Sequence, residues 1–301
     1  MTEVVSKREP ESRRAPAGFT EAQWRAFDRD GYLVLEGALA RNDVEPYREA
    51  IDRCCAADPE FDAGRFYTRE NVVEIHERFT ELIDHPRHVG FAYDVYGEQT
   101  KVHQSQLFVR PPGGDVTEWH RDGARVVPYG VFVPRLPLQM KVGYWLTDLL
   151  DEDMGNLVVI PGSHRGGEIE QYTTHEPAPG EVQLRFAAGA ITLMHGALWH
   201  RVAPNRTGRT VRRNLYVSYC PSWLTAADRL RSSRPWIATL SRERRILMRD
   251  YDDAYSHAKP PESDFPLFLD RESGSDRDAG AFRDGVPLHL RRRRVTVERW
   301  L

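Results

Sequence analysis

Residues 153–164 read Asp153-Met154-Gly155-Asn156-Leu157-Val158-Val159-Ile160-Pro161-Gly162-Ser163-His164. Four apolar residues, three of them β-branched, stand between a Gly-Asn pair and a Pro-Gly pair. That is the pattern of a short strand closed at both ends by turns. Similar runs recur on either side, at 102–109, 138–146, 182–186, 191–194 and 211–219, with Gly- and Pro-containing stretches between them. Many short strands with turn signals between them predict a sandwich or barrel. Upstream the character differs. Thr20 and Gln23 have capping-box spacing, Phe19 and Trp24 that of a hydrophobic staple, and Gly31 suits a C-cap, so a helix is expected before a strand at 32–35. A second helix is expected from about Asn42, with Glu45 at the capping-box position and Pro46 in the first turns. Its apolar face is Val44, Tyr47, Ile51 and Cys54. A third helical stretch is expected over 76–96, broken at Pro86. Helices followed by strands suit helices packed on a β-core.

The chain has 301 residues, a formal net charge of −3 and 40% hydrophobic residues. No apolar run approaches the length of a membrane span, and residues 1–18 lack the apolar core of a signal peptide. Near-neutral charge argues against a nucleic-acid binder, and the basic run at 291–294 reads as a solvated tail. Cys54, Cys55 and Cys220 form neither a disulfide framework nor a zinc set, so a reducing, cytoplasmic setting is expected. Of the 42 basic residues 38 are Arg, which reads as the coding bias of a GC-rich genome. The expected organisation is a disordered lead-in over 1–18 and one domain over 19–225, with helices at 19–100 and a β-core at 101–221. An extension over 226–301 is expected to pack on that domain, with a helix near 240–251 and irregular chain over 258–286. Nothing in the sequence sets an oligomeric state.

Chemistry concentrates in three places. In Glu118-Trp119-His120-Arg121-Asp122, an extended segment turns His120 and Asp122 to one side and Trp119 and Arg121 to the other. An imidazole and a carboxylate on one face are two legs of a 2-His-1-carboxylate triad, which suits Fe(II) and leaves positions open for oxygen and a co-substrate. Taken alone, the pair is a weak signal that reads first as a hydrogen-bonded His-Asp couple in a loop. The third leg must come from a distant strand, and either His195 or His200 in 189–200 can supply it. Beyond His200 lie Asn205, Arg206, Arg209, Arg212 and Arg213. An Arg at the start of a strand can hold a carboxylate in a bidentate fork, although most such Arg residues sit on the surface.

The order His120-x-Asp122, then the Gly155-Asn156-Leu157 to Pro161-Gly162-Ser163-His164 segment, then His200-x4-Asn205 and an Arg resembles the phytanoyl-CoA dioxygenase family. These are non-haem Fe(II), 2-oxoglutarate-dependent oxygenases, and the similar region runs from Phe19 to Pro221. The resemblance implies a mainly β fold with flanking helices: a double-stranded β-helix, the cupin-like jelly-roll barrel. It also implies iron ligation by His120, Asp122 and His200, with His200 chosen because the family's distal ligand lies five residues before the Asn. Arg212 would pair with the far carboxylate of 2-oxoglutarate, with Arg213 as a rival, and Gln104 matches a Gln near the co-substrate. The implied cofactors are Fe(II), 2-oxoglutarate and O2. Related halogenases lack the carboxylate, so Asp122 implies hydroxylation or another non-halogenating oxidation.

Residues 123–135 follow the metal motif as a long apolar and aromatic loop. Arg125 and Arg135 are candidates to meet an anionic or hydroxyl-rich small molecule, and Tyr129 and Phe132 to pack its body. A loop that only packs on the barrel fits the same residues. His164 is a further candidate substrate contact, alongside a structural role. Two other readings stay open. A metal-dependent jelly-roll enzyme without 2-oxoglutarate would place Arg212 and Arg213 both outside the barrel, and a non-catalytic binding barrel would have distorted metal ligands.

Overall fold

The computed structural model describes residues 16–113, 116–122, 136–166, 174–253, 255–256 and 259–268. The expected lid residues Arg125, Tyr129, Phe132 and Arg135 lie outside these, as do residues 1–15 and the basic run at 291–294. The capping box forms as the spacing predicts. The Thr20 hydroxyl accepts from the Gln23 amide, and the Gln23 side chain accepts from the Thr20 amide, at the start of α1 (Glu21–Asp30). Phe19 meets Trp24 edge-on at 5.2 Å. Gly31 ends the helix at φ 79°, where a Cβ would also collide with the His164 ring. Both the left-handed backbone and that close approach call for glycine.

Strand β1 (Tyr32–Leu35) leads to α2 (Arg41–Ala56). This helix starts ahead of the expected Asn42. Its N-cap is Ala40, which makes no side-chain cap, so the box with Glu45 is not the start signal. The entry is fixed instead by the Leu39 amide donating to the Gly189 carbonyl at 2.9 Å. Next come β2 (Tyr67–Glu70), α3 (Glu77–Thr80) and α4 (Val89–Tyr96), so the expected stretch over 76–96 is two short helices either side of Pro86. The barrel strands follow in order: β3 (Thr100–Arg110), β4 (Thr117–His120), β5 (Met140–Trp145), β6 (Leu157–Val159), β7 (Val182–Gln183), β8 (Ile191–His195), β9 (His200–Val202) and β10 (Arg212–Pro221). Two further helices, α5 (Arg234–Thr239) and α6 (Arg242–Met248), come after.

All pairings are antiparallel. One sheet has the order β1-β8-β5-β10-β3-β2 and the other β4-β9-β6-β7. Trp145, Met194 and Tyr216 from the first sheet share a buried cluster with Leu157 and Val159 from the second. The two sheets therefore face each other as a jelly roll. The outer face of the larger sheet, with Val142, Tyr144, Leu193, Leu215 and Val217, packs against α2, α4 and α6 in a separate cluster that also takes in Leu267 and Phe268. Strand β10 shows how the two faces are sorted. Leu215, Val217 and Tyr219 belong to the helix-facing cluster and Tyr216 to the inter-sheet cluster. Because side chains alternate, Arg212, Asn214, Tyr216 and Ser218 share the barrel-facing side.

Candidate active site

Strands β4 and β9 are adjacent in the smaller sheet, and His120 pairs directly with His200. That register brings the two imidazoles side by side, with ring centroids 4.1 Å apart. Asp122, two residues past His120, turns its carboxylate toward the same point, and the Asp122 Oδ2 lies 3.7 Å from His200 Nε2. One ligand atom from each of the three residues falls within 4.8 Å of the others. Trp119 and Arg121 take the opposite side: Trp119 is buried beside Val158 and Trp199, and the Arg121 guanidinium lies 4.7 Å from the Trp199 ring.

The donor set suits a divalent metal. His120 Nδ1 donates to the Glu118 carbonyl at 2.8 Å and His200 Nδ1 to the Leu198 carbonyl at 3.0 Å, each fixing the tautomer that leaves the Nε2 lone pair for a cation. Burial, reinforced by His120, pushes His200 down to about 3, so it is a neutral imidazole over the physiological range. Burial alone would raise the Asp122 carboxyl. Lys141, His200 and His120 outweigh it and hold the group below the usual carboxylate range, as a metal ligand requires. His195, the alternative third leg, is on the other face of its strand. It neighbours Met194 of the inter-sheet cluster but itself packs toward Phe27 and His164.

The two candidate arginines part in the same way. Arg213 faces outward and pairs with Asp52 at 2.7 Å. Arg212 is 1% exposed, lies over the Trp145 ring at 5.4 Å and donates to the Gly155 carbonyl. Among the described residues no carboxylate pairs with it. Burial, with Arg110 adding to it, lowers its pKa to about 9. Asn214, one turn of the pleat further along the same face, is fully buried, and neither end of its amide has a partner among the described residues. The barrel thus contains a guanidinium and an amide whose hydrogen-bonding capacity the described residues do not use up. Arg110, directly opposite Arg212 in register, stacks over Phe66 at 4.3 Å.

Gln104 lies opposite Ser218, on the barrel-facing side, and donates to Glu70 Oε1 at 3.1 Å; Gln106 donates to the same oxygen at 3.2 Å. His164 is elsewhere. Its Nε2 bonds the Asp28 carbonyl at 3.1 Å and its ring faces His195, so it fastens the Pro-Gly-Ser-His turn to α1 and is not gathered with the triad. Ser163 in that turn accepts from the Trp199 amide, beside His200. Asn205 also holds structure in place. Its amide donates to the Arg110 and Thr210 carbonyls and its oxygen accepts from Thr207, which fixes the loop between β9 and β10. Reading the sequence missed Lys141, which donates to Asp122 Oδ2 at 2.7 Å, and also missed Arg110 and Asn214. A lone charged residue inside the largely apolar run 138–146 was the available signal for Lys141.

The chain is 28% identical over 186 residues to ectoine dioxygenase of Streptomyces coelicolor, covering 54% of this chain and 58% of that protein. It spans about half the length of the curated relatives it matches. Among solved structures, HygX from Streptomyces hygroscopicus with nickel and 2-oxoglutarate bound has a similar fold, with a TM-score of 0.61 at 19% identity, over 69% of this chain and 90% of that one. The epimerase SnoN from nogalamycin biosynthesis gives a TM-score of 0.54 at 19% identity, over 67% and 80%. At these identities the likeness is one of fold. Residues 27–214, more than half of the chain, match the phytanoyl-CoA dioxygenase (PhyH) family, a span that includes both candidate metal-ligand segments and the β-core that carries them, and the chain belongs to that family.

Proposed function

We propose that the chain is an Fe(II)- and 2-oxoglutarate-dependent dioxygenase that oxidises, by default hydroxylates, a small molecule, in bacterial natural-product biosynthesis. The observation that carries this reading is the pairing of the His120, Asp122 and His200 cluster with a barrel-facing Arg212 that has no protein carboxylate among the described residues. The first suits a metal held on one face. The second suits the distal carboxylate of a keto acid, since a buried guanidinium needs an anion. Arg212 inside the barrel supports this reading over a metal enzyme without a keto acid. The compact triad supports it over a barrel that only binds.

In this reading His120 and His200 supply Nε2 and Asp122 supplies a carboxylate oxygen. Bound there, Fe(II) would supply the redox chemistry that couples loss of carbon dioxide from 2-oxoglutarate to oxidation of the substrate by O2. The overall balance for hydroxylation is one C–H bond, one O2 and one 2-oxoglutarate giving C–OH, succinate and carbon dioxide. The chain's own residues orient and exclude. Arg212 and Asn214 hold the distal carboxylate, Trp145 packs against the Arg212 guanidinium, and the inter-sheet cluster keeps water away.

SnoN is named as an epimerase, so reaction type varies across this fold; Asp122 supports a non-halogenating oxidation here, with hydroxylation the default among those. Anaerobic addition of Fe(II) and 2-oxoglutarate together should produce a weak visible charge-transfer band that neither gives alone. Absence of the band with both present would count against the reading. A screen for compounds that stimulate succinate formation would then identify the substrate.

A further inference from the structure

Strand β5 lies at the centre of the larger sheet, between β8 and β10, and all six of its residues are buried. Lys141 is the one charged residue among them. Its register opposite Ser218 and Met194 turns it into the barrel. The ammonium donates to Asp122 Oδ2 at 2.7 Å, and Nζ lies 4.8 Å from the centre of the Tyr216 ring. The oxygen it holds is the one 3.7 Å from His200 Nε2, so a fixed positive charge stands beside the metal-ligand cluster. Orienting a carboxylate takes only a hydrogen-bond donor, which a neutral side chain can provide. A buried ammonium is expensive unless its charge is used.

The charge has two opposed effects. It repels a dication placed among His120, Asp122 and His200. It also cancels the charge of Asp122, so a bound dication would present its charge undiminished to an anionic co-substrate. Arg212 supplies the second cation on the same barrel-facing side, and Tyr216 neighbours both, with Lys141 over its ring and Arg212 close enough to act on it electrostatically. We infer that Lys141 is a positioning residue that sets the charge balance at the metal end of the barrel, favouring the dianionic keto acid at the expense of metal affinity. This rests on the Fe(II)/2-oxoglutarate reading above.

The test uses Mn(II), which does not react with oxygen on the experimental timescale, and the full-length wild type, Lys141→Met and Lys141→Arg. Mn(II) affinity is measured from the free-ion spectroscopic signal without keto acid. 2-Oxoglutarate affinity is then measured calorimetrically at saturating Mn(II). Lys141→Met should bind Mn(II) at least about threefold more tightly, from the lost repulsion. It should bind 2-oxoglutarate about tenfold more weakly, from the lost charge-assisted attraction. Lys141→Arg should resemble wild type in both. This split of opposite sign is what a purely structural role would not produce. Weakening of both ligands by Lys141→Met would mean the lysine only orders Asp122, and no change in either would mean it does nothing at the site; both results overturn the inference. If Lys141→Met fails to fold, Lys141→Gln carries the same comparison. Wild type that binds neither ligand would instead sink the parent reading, and this inference with it.

Discussion

Replacing Arg212 with Met should separate stability from co-substrate binding. The guanidinium is 1% exposed, and burial, with Arg110 second, lowers its pKa from 12.5 to about 9. A base whose folded pKa lies below its unfolded value costs folding free energy while both states are protonated, as they are at neutral pH. At about 1.4 kcal/mol per pKa unit, that cost is on the order of a few kcal/mol. Against it stand the bond to the Gly155 carbonyl and packing over Trp145, which Met partly keeps. The ligand-free Tm should therefore hold or rise by several degrees, at roughly 2–4 °C per kcal/mol for a chain of this kind. Co-substrate binding should fall steeply. Losing one partner of a buried, hydrogen-bonded ion pair costs about 2–5 kcal/mol, or roughly one and a half to three and a half orders of magnitude in affinity. Arg213→Met removes a pair with Asp52, whose side chain is 55% exposed, and should change stability by no more than about 1 kcal/mol and leave the keto acid alone. Thermal melts with and without Mn(II) and 2-oxoglutarate read both effects at once. The reasoning fails if Arg212→Met keeps the 2-oxoglutarate-induced rise in Tm, or if Arg213→Met loses it.

His120→Ala or Asp122→Ala should abolish succinate formation while leaving the far-ultraviolet circular dichroism and the cooperative melt intact; retained turnover would reject them as ligands. Acid should destabilise the metal-free protein over a defined range. His200 is pushed down to about 3 and His88, fully buried between Tyr144 and Tyr219, is held well below its ordinary value. Both therefore stabilise the fold above the unfolded histidine pKa of about 6.5, and that stability is lost as pH falls from there toward the folded values. Urea midpoints at pH 7.5, 5.5 and 4.5 should decrease in that order, and a flat series would contradict the neutral buried imidazoles. Gly155→Ala places a Cβ 3.3 Å from the Cδ atoms of both Arg110 and Arg212, on a backbone at φ 79°. It should cost about 1–2 kcal/mol from the left-handed conformation alone and weaken 2-oxoglutarate binding as Arg212 shifts. Chemical denaturation and keto-acid titration of the same variant check the two effects.

Signals that act over a few residues could be read directly from the sequence. The Thr20 box, the Gly31 cap and the apolar runs of β3, β5, β6, β8 and β10 depend on neighbours within one turn or one strand. The His-x-Asp pair and its matching distal segment were visible as a linear order. Other elements were not. Strands β4 and β9 are short and rich in polar residues, and they exist as strands because each pairs with the other in the smaller sheet. The start of α2 differs from the capping-box expectation because the Leu39 amide donates to the carbonyl of Gly189, far along the chain.

By itself the sequence determined a β-core behind helices, a metal-ligand candidate set and a short list of rival arginines and histidines. The tertiary structure put those rivals on opposite faces of their strands. Side chains on a strand alternate between faces, so a single step from Arg212 to Arg213 exchanges the barrel interior for an ion pair with Asp52. Which face is the interior depends on the strands that pair across the sheet and on the second sheet laid over them. The same dependence put Lys141 beside Asp122, because the partners that aim it lie dozens of residues away in β8 and β10.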